Sequence, residues 1–233
     1  MTDAAIQNSG FPWLSGIVFL PILGILLLFA VGKSRDRAMK WIAFLVTGAD
    51  FLLSLPLWFL FDRSVPGMQF AERTSWISVP PIQYSLGVDG ISLPLVLMTT
   101  FLMPLCVMCS WTSIQTRVRE YLAVLLVMET AMLGVFVAID FVLFYIFWEA
   151  MLIPMYLLIG VWGGLNRLYA AIKFFLYTLT GSVLLLVAIL VLYFQGGHTF
   201  DILVLTRGEY APSLQSWLFW ALFAAFAVKV PMF

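Results

Sequence analysis

The apolar residues of this chain occur in long blocks that are separated by short polar or proline-rich stretches. Each block is about 20 residues long, and a helix of that length, rising about 1.5 Å per residue, crosses the ~30 Å hydrocarbon core of a bilayer. We therefore predict an all-α protein, a polytopic bundle of transmembrane helices. The pattern predicts six full spans and the start of a seventh, at Trp13–Gly32, Trp41–Phe61, Ile91–Trp111, Tyr121–Ile139, Phe141–Trp162, Phe174–Phe194 and from about Ser216.

The two ends of the chain are read from their flanking residues. Met1–Gly10 contains no Lys or Arg, so the first block is predicted to be a retained span and not a cleaved signal peptide. The seventh block is still apolar at Phe233, which suggests a sequence truncated inside or just after a helix. A naturally short chain is the alternative.

Composition narrows the class of partner. Hydrophobic residues make up 63% of the chain, charged residues 10%, and the formal net charge is zero. A chain with this composition lacks the excess positive charge that binds nucleic acid, and it lacks an acidic tail that would bind a basic protein. We expect its partners to be the lipid bilayer and other membrane subunits.

The basic residues of the loops predict orientation. One set of loops holds eight Lys or Arg residues and the opposite set holds three, which favours the first set as cytoplasmic. The N-terminus would then lie outside, in the periplasm if the membrane is a bacterial inner membrane. The first set is Lys33, Arg35, Arg37, Lys40, Arg117, Arg119, Arg167 and Lys173, and the second is Arg63, Arg73 and Arg207. Tryptophans at span ends, where they favour the headgroup layer, are Trp13, Trp41, Trp111, Trp162 and Trp217.

The longest loop, 62–90, is predicted to lie outside and to be too short and too rich in proline, including Pro66, for a domain of its own. Within it, Ile82–Leu86 alternates and could pair as a strand. The only histidine, His198, lies in a glycine-containing loop without a second histidine, so we predict no metal site.

No nucleotide-binding or redox motif is present. The sequence has no GxGxxG, no Walker loop, no HExxH and only two cysteines, so we expect no cofactor in this chain. Cys106 and Cys109 could form a redox pair, but we favour two small buried apolar residues, since a lipid-buried helix is a poor place for a thiolate.

Two opposite charges inside predicted spans are the main candidates for chemistry. An isolated charge at a bilayer centre costs about 2.5 to 3.5 kcal/mol, so such residues are usually functional. Glu149 lies in the middle of the fifth span, with Pro154 removing a backbone donor five residues later. Lys229 lies two residues before Pro231, and a broken helix offers free carbonyls to an ammonium group. The alternatives are a protonated Glu149 that clamps two helices and a Lys229 that reaches the interface.

The sequence indicates the roles of four further polar residues less specifically. Glu129, inside the fourth span, has functional and structural readings of equal standing. Asp50 could bond within the bundle, and Asp140 is predicted to cap a tight turn. Lys173, at the inner end of the sixth span, could relay protons or simply follow the positive-inside rule.

Several segments resemble the antiporter-like proton-pumping subunits of respiratory complex I, of the bacterial chain M and mitochondrial subunit 4 type. The resemblance extends over essentially the whole chain. It rests on FWEAMLIPMY at 147–156, RLYAAIKF at 167–174, AVKVPMF at 227–233 and SLGVDGIS at 85–92.

The resemblance implies a larger protein of about fourteen helices with two inverted repeats. Residues 1–120 would form an N-terminal three-helix region, and residues 121–233 most of the first repeat. Glu149 would match the glutamate of the fifth helix and Lys229 the lysine of the broken seventh helix. Together they would move protons, with Glu129 and Lys173 as possible relay residues.

The resemblance also implies the partners of the chain. NADH, FMN, iron-sulfur clusters and quinone would reside in partner subunits, and neighbouring antiporter-like chains would lie beside this one in the membrane. Two alternatives remain open. One is a subunit of a multi-chain cation/proton antiporter or of a membrane-bound hydrogenase, and the other is a passive scaffold whose charges fix helix register.

Overall fold

A computed structural model describes residues 6–8, 10–32, 35–65, 67–230 and 232. The helices are α1 (Trp13–Ala30), α2 (Asp36–Leu60), α3 (Ser92–Cys109), α4 (Val118–Val137), α5 (Phe141–Ala150), α6 (Leu152–Trp162), α7 (Arg167–Gln195), α8 (Ile202–Leu205) and α9 (Pro212–Lys229). The strands are β1 (Ile6–Asn8), β2 (Met68–Ile77) and β3 (Ile82–Val88), in the order β1-β2-β3. The predictions for Lys33, Pro66, Pro231 and Phe233 lie outside the described residues.

Among the described residues, six stretches of helix are long and apolar enough to cross a membrane, which confirms the six predicted spans and the all-α membrane bundle. The fifth of them is built from two consecutive helices, α5 and α6. Helix α9 forms the predicted seventh block and ends at Lys229. The chain divides into two compact units, one of Met1–Glu72 and Leu86–Ala138, the other of Arg73–Ser85 and Ile139–Phe233. The sequence-based division at residue 120 stays a prediction.

In the first unit, α1 packs against α2 and α4, and α2 packs against α3 and α4. Gly24 makes this packing close, because a Cβ atom built on it would lie 2.8 Å from Val46 Cγ1 and 3.1 Å from Leu126 Cδ1. A larger residue at this position would force α1 away from both neighbours. Side chains of Leu14, Leu57, Val96 and Leu126 are among those fully buried in this core.

The N-terminus of α1 is capped by a residue far along the chain. Glu72, on β2, accepts hydrogen bonds from the backbone amides of Leu14 at 2.7 Å and Ser15 at 3.2 Å, and also from the Ser15 hydroxyl. The first amides of a helix have no partner within the helix, and a carboxylate also stabilises the positive end of the helix dipole. Nearby, β1 pairs in parallel with β2.

Two basic residues that the sequence placed among loop charges are buried. Lys40 is 7% exposed, and its Nζ donates to the carbonyl oxygens of Trp111 at 2.6 Å and Ile114 at 3.1 Å, just beyond α3. Arg119 Nη2 donates to the carbonyl oxygen of Val31, which follows α1. Both cations therefore stabilise the negative ends of neighbouring helices.

In the second unit, α7 packs against α6 and α9, and α5 contacts α6 and α7. Asp140 caps α5 as predicted, accepting from the amides of Val142 at 2.9 Å and Leu143 at 3.2 Å. Its second carboxylate oxygen accepts from the amide of Gln83 at 3.1 Å, which attaches strand β3 to the start of α5.

The strand predicted at Ile82–Leu86 is confirmed within β3, whereas β2 was not predicted. Arg73, on β2, forms an ion pair of 3.1 Å with Asp201, the residue that caps α8. The long outer loop therefore forms the strands β2 and β3, and hydrogen bonds and a charge pair attach it to the helices.

The start of α3 provides a test of local stability. Asp89 accepts from the amides of Ser92 at 2.7 Å and Ile91 at 3.0 Å. Burial alone would raise the pKa of Asp89, but these amides and the Ser92 hydroxyl outweigh burial and hold the pKa below its ordinary value of 3.8. We expect Asp89→Ala to destabilise this helix start by about 1 kcal/mol, seen as faster amide hydrogen exchange at Ile91 and Ser92.

The parental protein should also show a defined pH dependence. Because the folded-state pKa is lowered, the stabilisation is present above pH 3.8 and is lost as the pH falls through the lower folded-state value. Asp62→Ala is the matched control, since Asp62 accepts hydrogen bonds from Ser64 in an exposed turn that does not begin a helix. Equal exchange rates in parent and Asp89→Ala would contradict the capping role.

Candidate functional site

Glu149 lies one residue before the end of α5 and is half-buried. Tyr145, one turn earlier on the same helix, is close enough to its carboxylate to interact with it. Its Oε1 atom is buried and has no hydrogen-bond partner within the described part of the chain. Within the described ranges, this oxygen of Glu149 therefore remains able to accept a proton or a hydrogen bond.

The helix that holds Glu149 is interrupted immediately after it. Helix α5 ends at Ala150, and α6 begins at Leu152. Pro154 supplies the physical reason, because the carbonyl of Ala150 would accept a hydrogen bond from an amide that proline lacks. The sequence predicted this freed carbonyl, and the structure places the interruption at Met151, between the proline and the glutamate.

Lys229 is the last residue of α9 and is also half-buried. Its Nζ donates to the carbonyl oxygen of Trp148 at 3.2 Å and lies 4.6 Å from the centre of the Trp148 ring. Phe226, one turn before Lys229, packs edge-on against the same indole at 5.2 Å. The ammonium group is therefore held by a backbone oxygen and an aromatic face of the helix that carries Glu149.

Close packing of α9 on α7 sets the position of Lys229. A Cβ atom built on Gly181 of α7 would lie 3.0 Å from the Cβ and Cγ1 atoms of Val228, the neighbour of Lys229. Only glycine at this point lets the end of α9 approach so closely without repacking. Gly181 is thus a positioning residue for the lysine.

Glu149 and Lys229 are near enough to interact electrostatically, yet they do not form a contact ion pair. Within the ranges that the structure describes, Arg73 and Asp201 make the one ion pair shorter than 4.0 Å. The lysine therefore contacts the backbone next to the glutamate and not its carboxylate. An arrangement of this kind leaves the charge of Glu149 able to change without breaking a direct bond to Lys229.

The two relay candidates lie elsewhere in the fold. Lys173 is exposed on α7, with its Nζ 5.7 Å from the ring of Tyr169, one turn earlier. Glu129 belongs to α4 in the first unit and is fully buried. The structure thus brings Lys229 beside α5, and Lys173 of the same unit takes no part in that contact. The roles of all four residues stay predictions.

Glu129 has a partner that sequence analysis did not assign to it. Asp50 of α2 is likewise fully buried, and the two carboxyl groups lie within hydrogen-bonding reach of each other. No donor among the described residues reaches any of their four oxygens. The contact depends on how α2 packs against α4, which no spacing along the chain reveals.

The surroundings of the remaining candidates, His198, Cys106 and Cys109, indicate structural roles. His198 has a positive φ of 59° and packs against the rings of Tyr193 and Phe194. No group of three or more His, Cys, Asp or Glu residues in the described ranges could hold a metal ion. Cys106 and Cys109 are unpaired and exposed on α3, so the expectation that they are buried is wrong. They lie on the outer face of a helix whose exposed side is apolar.

Comparison with known proteins decides the family. Residues 17–135 match the family model for the amino terminus of NADH-ubiquinone oxidoreductase chain 4, and residues 138–233 match the model for the transmembrane region of NADH:quinone oxidoreductase and Mrp antiporters. The chain is 49% identical to NADH-quinone oxidoreductase subunit M of Rhodobacter capsulatus over 94% of its length. It belongs to the subunit M, or chain 4, family. This confirms the resemblance seen in the sequence.

Other subunit M and chain 4 proteins agree. The chain is 44% identical to NADH-ubiquinone oxidoreductase chain 4 of Arabidopsis thaliana over 94% of its length. A chain in the solved respiratory complex I of Thermus thermophilus is 30% identical and superposes with a TM-score of 0.81 over 94% of this chain. The chain spans 45% of the Rhodobacter relative, 44% of the Arabidopsis relative and 44% of the Thermus chain.

The interruption at Met151 can be tested directly. We expect Pro154→Ala to restore the missing amide donor, so that α5 and α6 join and the amides of Leu152, Ile153 and Met155 exchange hydrogen several-fold more slowly. Pro104→Ala is the control, because α3 runs through Pro104 without an interruption. If exchange at these three amides stays as fast in Pro154→Ala as in the parent, proline is not the cause of the interruption.

Proposed function

We propose that this chain forms part of a membrane subunit of NADH-quinone oxidoreductase that translocates protons, and that Glu149 and Lys229 are the residues that gain and lose them. The observation that supports this most directly is the contact of Lys229 with the Trp148 carbonyl, beside Glu149 and next to an interrupted helix. Discontinuous helices that hold an ionisable residue are typical of ion sites in membrane transporters.

The geometry suggests how the pair would work. While Glu149 is ionised, its negative charge stabilises the ammonium form of Lys229, which holds its proton. When Glu149 takes up a proton, or when its charge is drawn towards another group, Lys229 keeps only a carbonyl and an aromatic ring as partners. These cannot offset the cost of a charge in a medium of low dielectric constant, so the ammonium group releases a proton to water. The return of negative charge reloads the lysine.

Electron transfer from NADH to quinone, in partner subunits that hold NADH, FMN, iron-sulfur clusters and quinone, would supply the free energy. Neighbouring antiporter-like chains would pass the change in charge to this one. Glu129 and Lys173 would act as relay residues on the hydrated path. The chain would lie in a bacterial inner membrane with its N-terminus outside, and residues 121–233 would form most of the first antiporter-like repeat.

A second candidate function is a subunit of a multi-chain cation/proton antiporter. It is favoured by the family model for residues 138–233, whose description names both NADH:quinone oxidoreductases and Mrp antiporters. An antiporter would exchange ions in response to a sodium or proton gradient alone. A redox-driven pump would require NADH oxidation, so the two functions are separated by adding either the gradient or NADH to sealed vesicles.

We expect Glu149→Gln and Lys229→Ala, each introduced into the full-length subunit, to abolish most proton pumping while the complex still assembles. Glutamine cannot change charge, and alanine cannot hold a proton. The measurement is the number of protons moved per electron in proteoliposomes that oxidise NADH. Asp36→Asn, an exposed acid at the start of α2, is the matched control and should pump like the parent. Parental pumping in either variant would contradict the proposal.

Lys173→Ala should have a milder effect. Because Lys173 is exposed, water at the same position can carry protons in its place. We expect turnover slowed several-fold at an unchanged ratio of protons to electrons. Lys173→Arg, which keeps the charge but holds its proton more firmly, should resemble the alanine variant. Normal turnover in both variants would make Lys173 a residue of membrane topology only.

A further inference from the structure

The first unit contains two acidic residues, Asp50 and Glu129, that are too deeply buried to carry an unpaired negative charge. Asp50 and Glu129 are both 0% exposed, and their carboxyl groups lie within hydrogen-bonding reach of each other. All four carboxyl oxygens lack a donor in the described part of the chain. A carboxylate accepts hydrogen bonds and cannot donate them, so two ionised groups at this distance would only repel.

The surrounding helices do not supply the missing donor. Helix α1 contributes no Asp, Glu, His, Lys, Arg or Cys, and α3 contributes Cys106 and Cys109, of which Cys106 is close enough to Glu129 to interact with it electrostatically. Most buried hydroxyls of this unit bond to one another or to backbone carbonyls of their own helices. These are Thr47, which donates to Ala43, Ser54 and Thr100, which share a hydrogen bond, Thr99, which donates to Leu95, and Ser110, which donates to Val107. The hydroxyl of Thr130, the neighbour of Glu129 on α4, is buried without a partner within the described ranges, so it donates to neither acid.

The two buried basic residues of the unit bind backbone carbonyls. Lys40 donates to the carbonyls of Trp111 and Ile114, and Arg119 donates to the carbonyl of Val31. Neither cation therefore neutralises the two acids. An uncompensated pair of negative charges in a lipid-facing bundle would cost far more than the packing of α2 on α4 can offset.

Two acceptors in contact without a donor require a hydrogen atom between them. We propose that Asp50 and Glu129 form a proton-binding site in the first unit, in which protonated carboxyl groups donate to each other across α2 and α4. With both groups protonated, each acid donates one hydrogen bond and accepts one, and the site is neutral. Loss of one proton leaves one acid that donates to one carboxylate, and this single charge is spread over the pair by the shared hydrogen bond.

The site belongs to the first unit, whereas the Glu149 and Lys229 contact belongs to the second unit. It does not rest on the proposed function, because it predicts where protons reside and not whether they are pumped. It also assigns to Asp50 a role that its position in an apolar block leaves open. A proton held in this way would join two helices by hydrogen bonds without placing a charge in the core.

Infrared spectroscopy of the full-length subunit in its complex, in lipid membranes at neutral pH, tests the site. The stretching band of a protonated carboxylic acid is distinct from the bands of a carboxylate and shifts in D2O. We expect the spectrum of the parent minus that of the double variant Asp50→Asn, Glu129→Gln to contain this acid band. For Asp36→Asn, on the same helix as Asp50 but exposed, the parent-minus-variant spectrum should contain carboxylate bands and no acid band.

Further variants keep the test decisive. The exchange variant Asp50→Glu, Glu129→Asp retains two acids at the contact and should retain the acid band. Each single amide variant removes one acid and should lose or shift its contribution, so the single variants serve even if the double variant does not assemble. Absence of an acid band from the parent-minus-variant spectra would overturn the proposal.

A bound sodium ion is the competing occupant of two buried carboxylates, and the same samples distinguish it from protons. We expect the acid band to be unchanged when sodium replaces potassium in the buffer. Replacement of the acid band by carboxylate bands upon addition of sodium, in the parent but not in the double variant, would show a cation site and would also overturn the proposal.

Discussion

Every charged group in the interior of this protein must be neutralised by the protein itself, because lipid offers neither water nor counterions. The solutions differ from place to place. Lys40 and Arg119 bind carbonyl oxygens at or just beyond helix ends, Lys229 binds a carbonyl and an indole, and Asp50 and Glu129 face each other. Where protein groups neutralise the charge fully, the charged residue has a structural role. Where neutralisation is partial, as at Glu149, whose Oε1 has no partner among the described residues, we propose that the group changes its state of protonation.

The fold was largely predictable because lipid thickness imposes a length on each span and apolar residues reveal it directly. Less visible were features that arise from contacts between distant segments. Strand β2 lacks regular alternation, and its place depends on β1, β3 and the Arg73 pair with Asp201. Lys40 looked like a loop charge because a sequence records the sign of a residue and not the carbonyl that its side chain will reach.

The candidate site was only partly predictable for the same reason. Glu149, Pro154 and Lys229 could be singled out one by one, since each is unusual in an apolar block. Their arrangement required the packing of α9, which brings Lys229 to Trp148 and not to the glutamate carboxylate. Asp50 and Glu129 lie 79 positions apart in the numbering, and neither residue has a local signal that points to the other.

The cap on α1 has a consequence for the synthesis of this protein. The amide of Leu14 and the carboxylate of Glu72 are separated by 58 positions, with the whole of α2 between them. A ribosome therefore delivers the first two helices to the membrane before the residue that completes the start of the first one has left the exit tunnel. During that interval water or lipid headgroups must form hydrogen bonds with the amides of Leu14 and Ser15. The start of α1 is completed only after β2, which carries Glu72, has been synthesised.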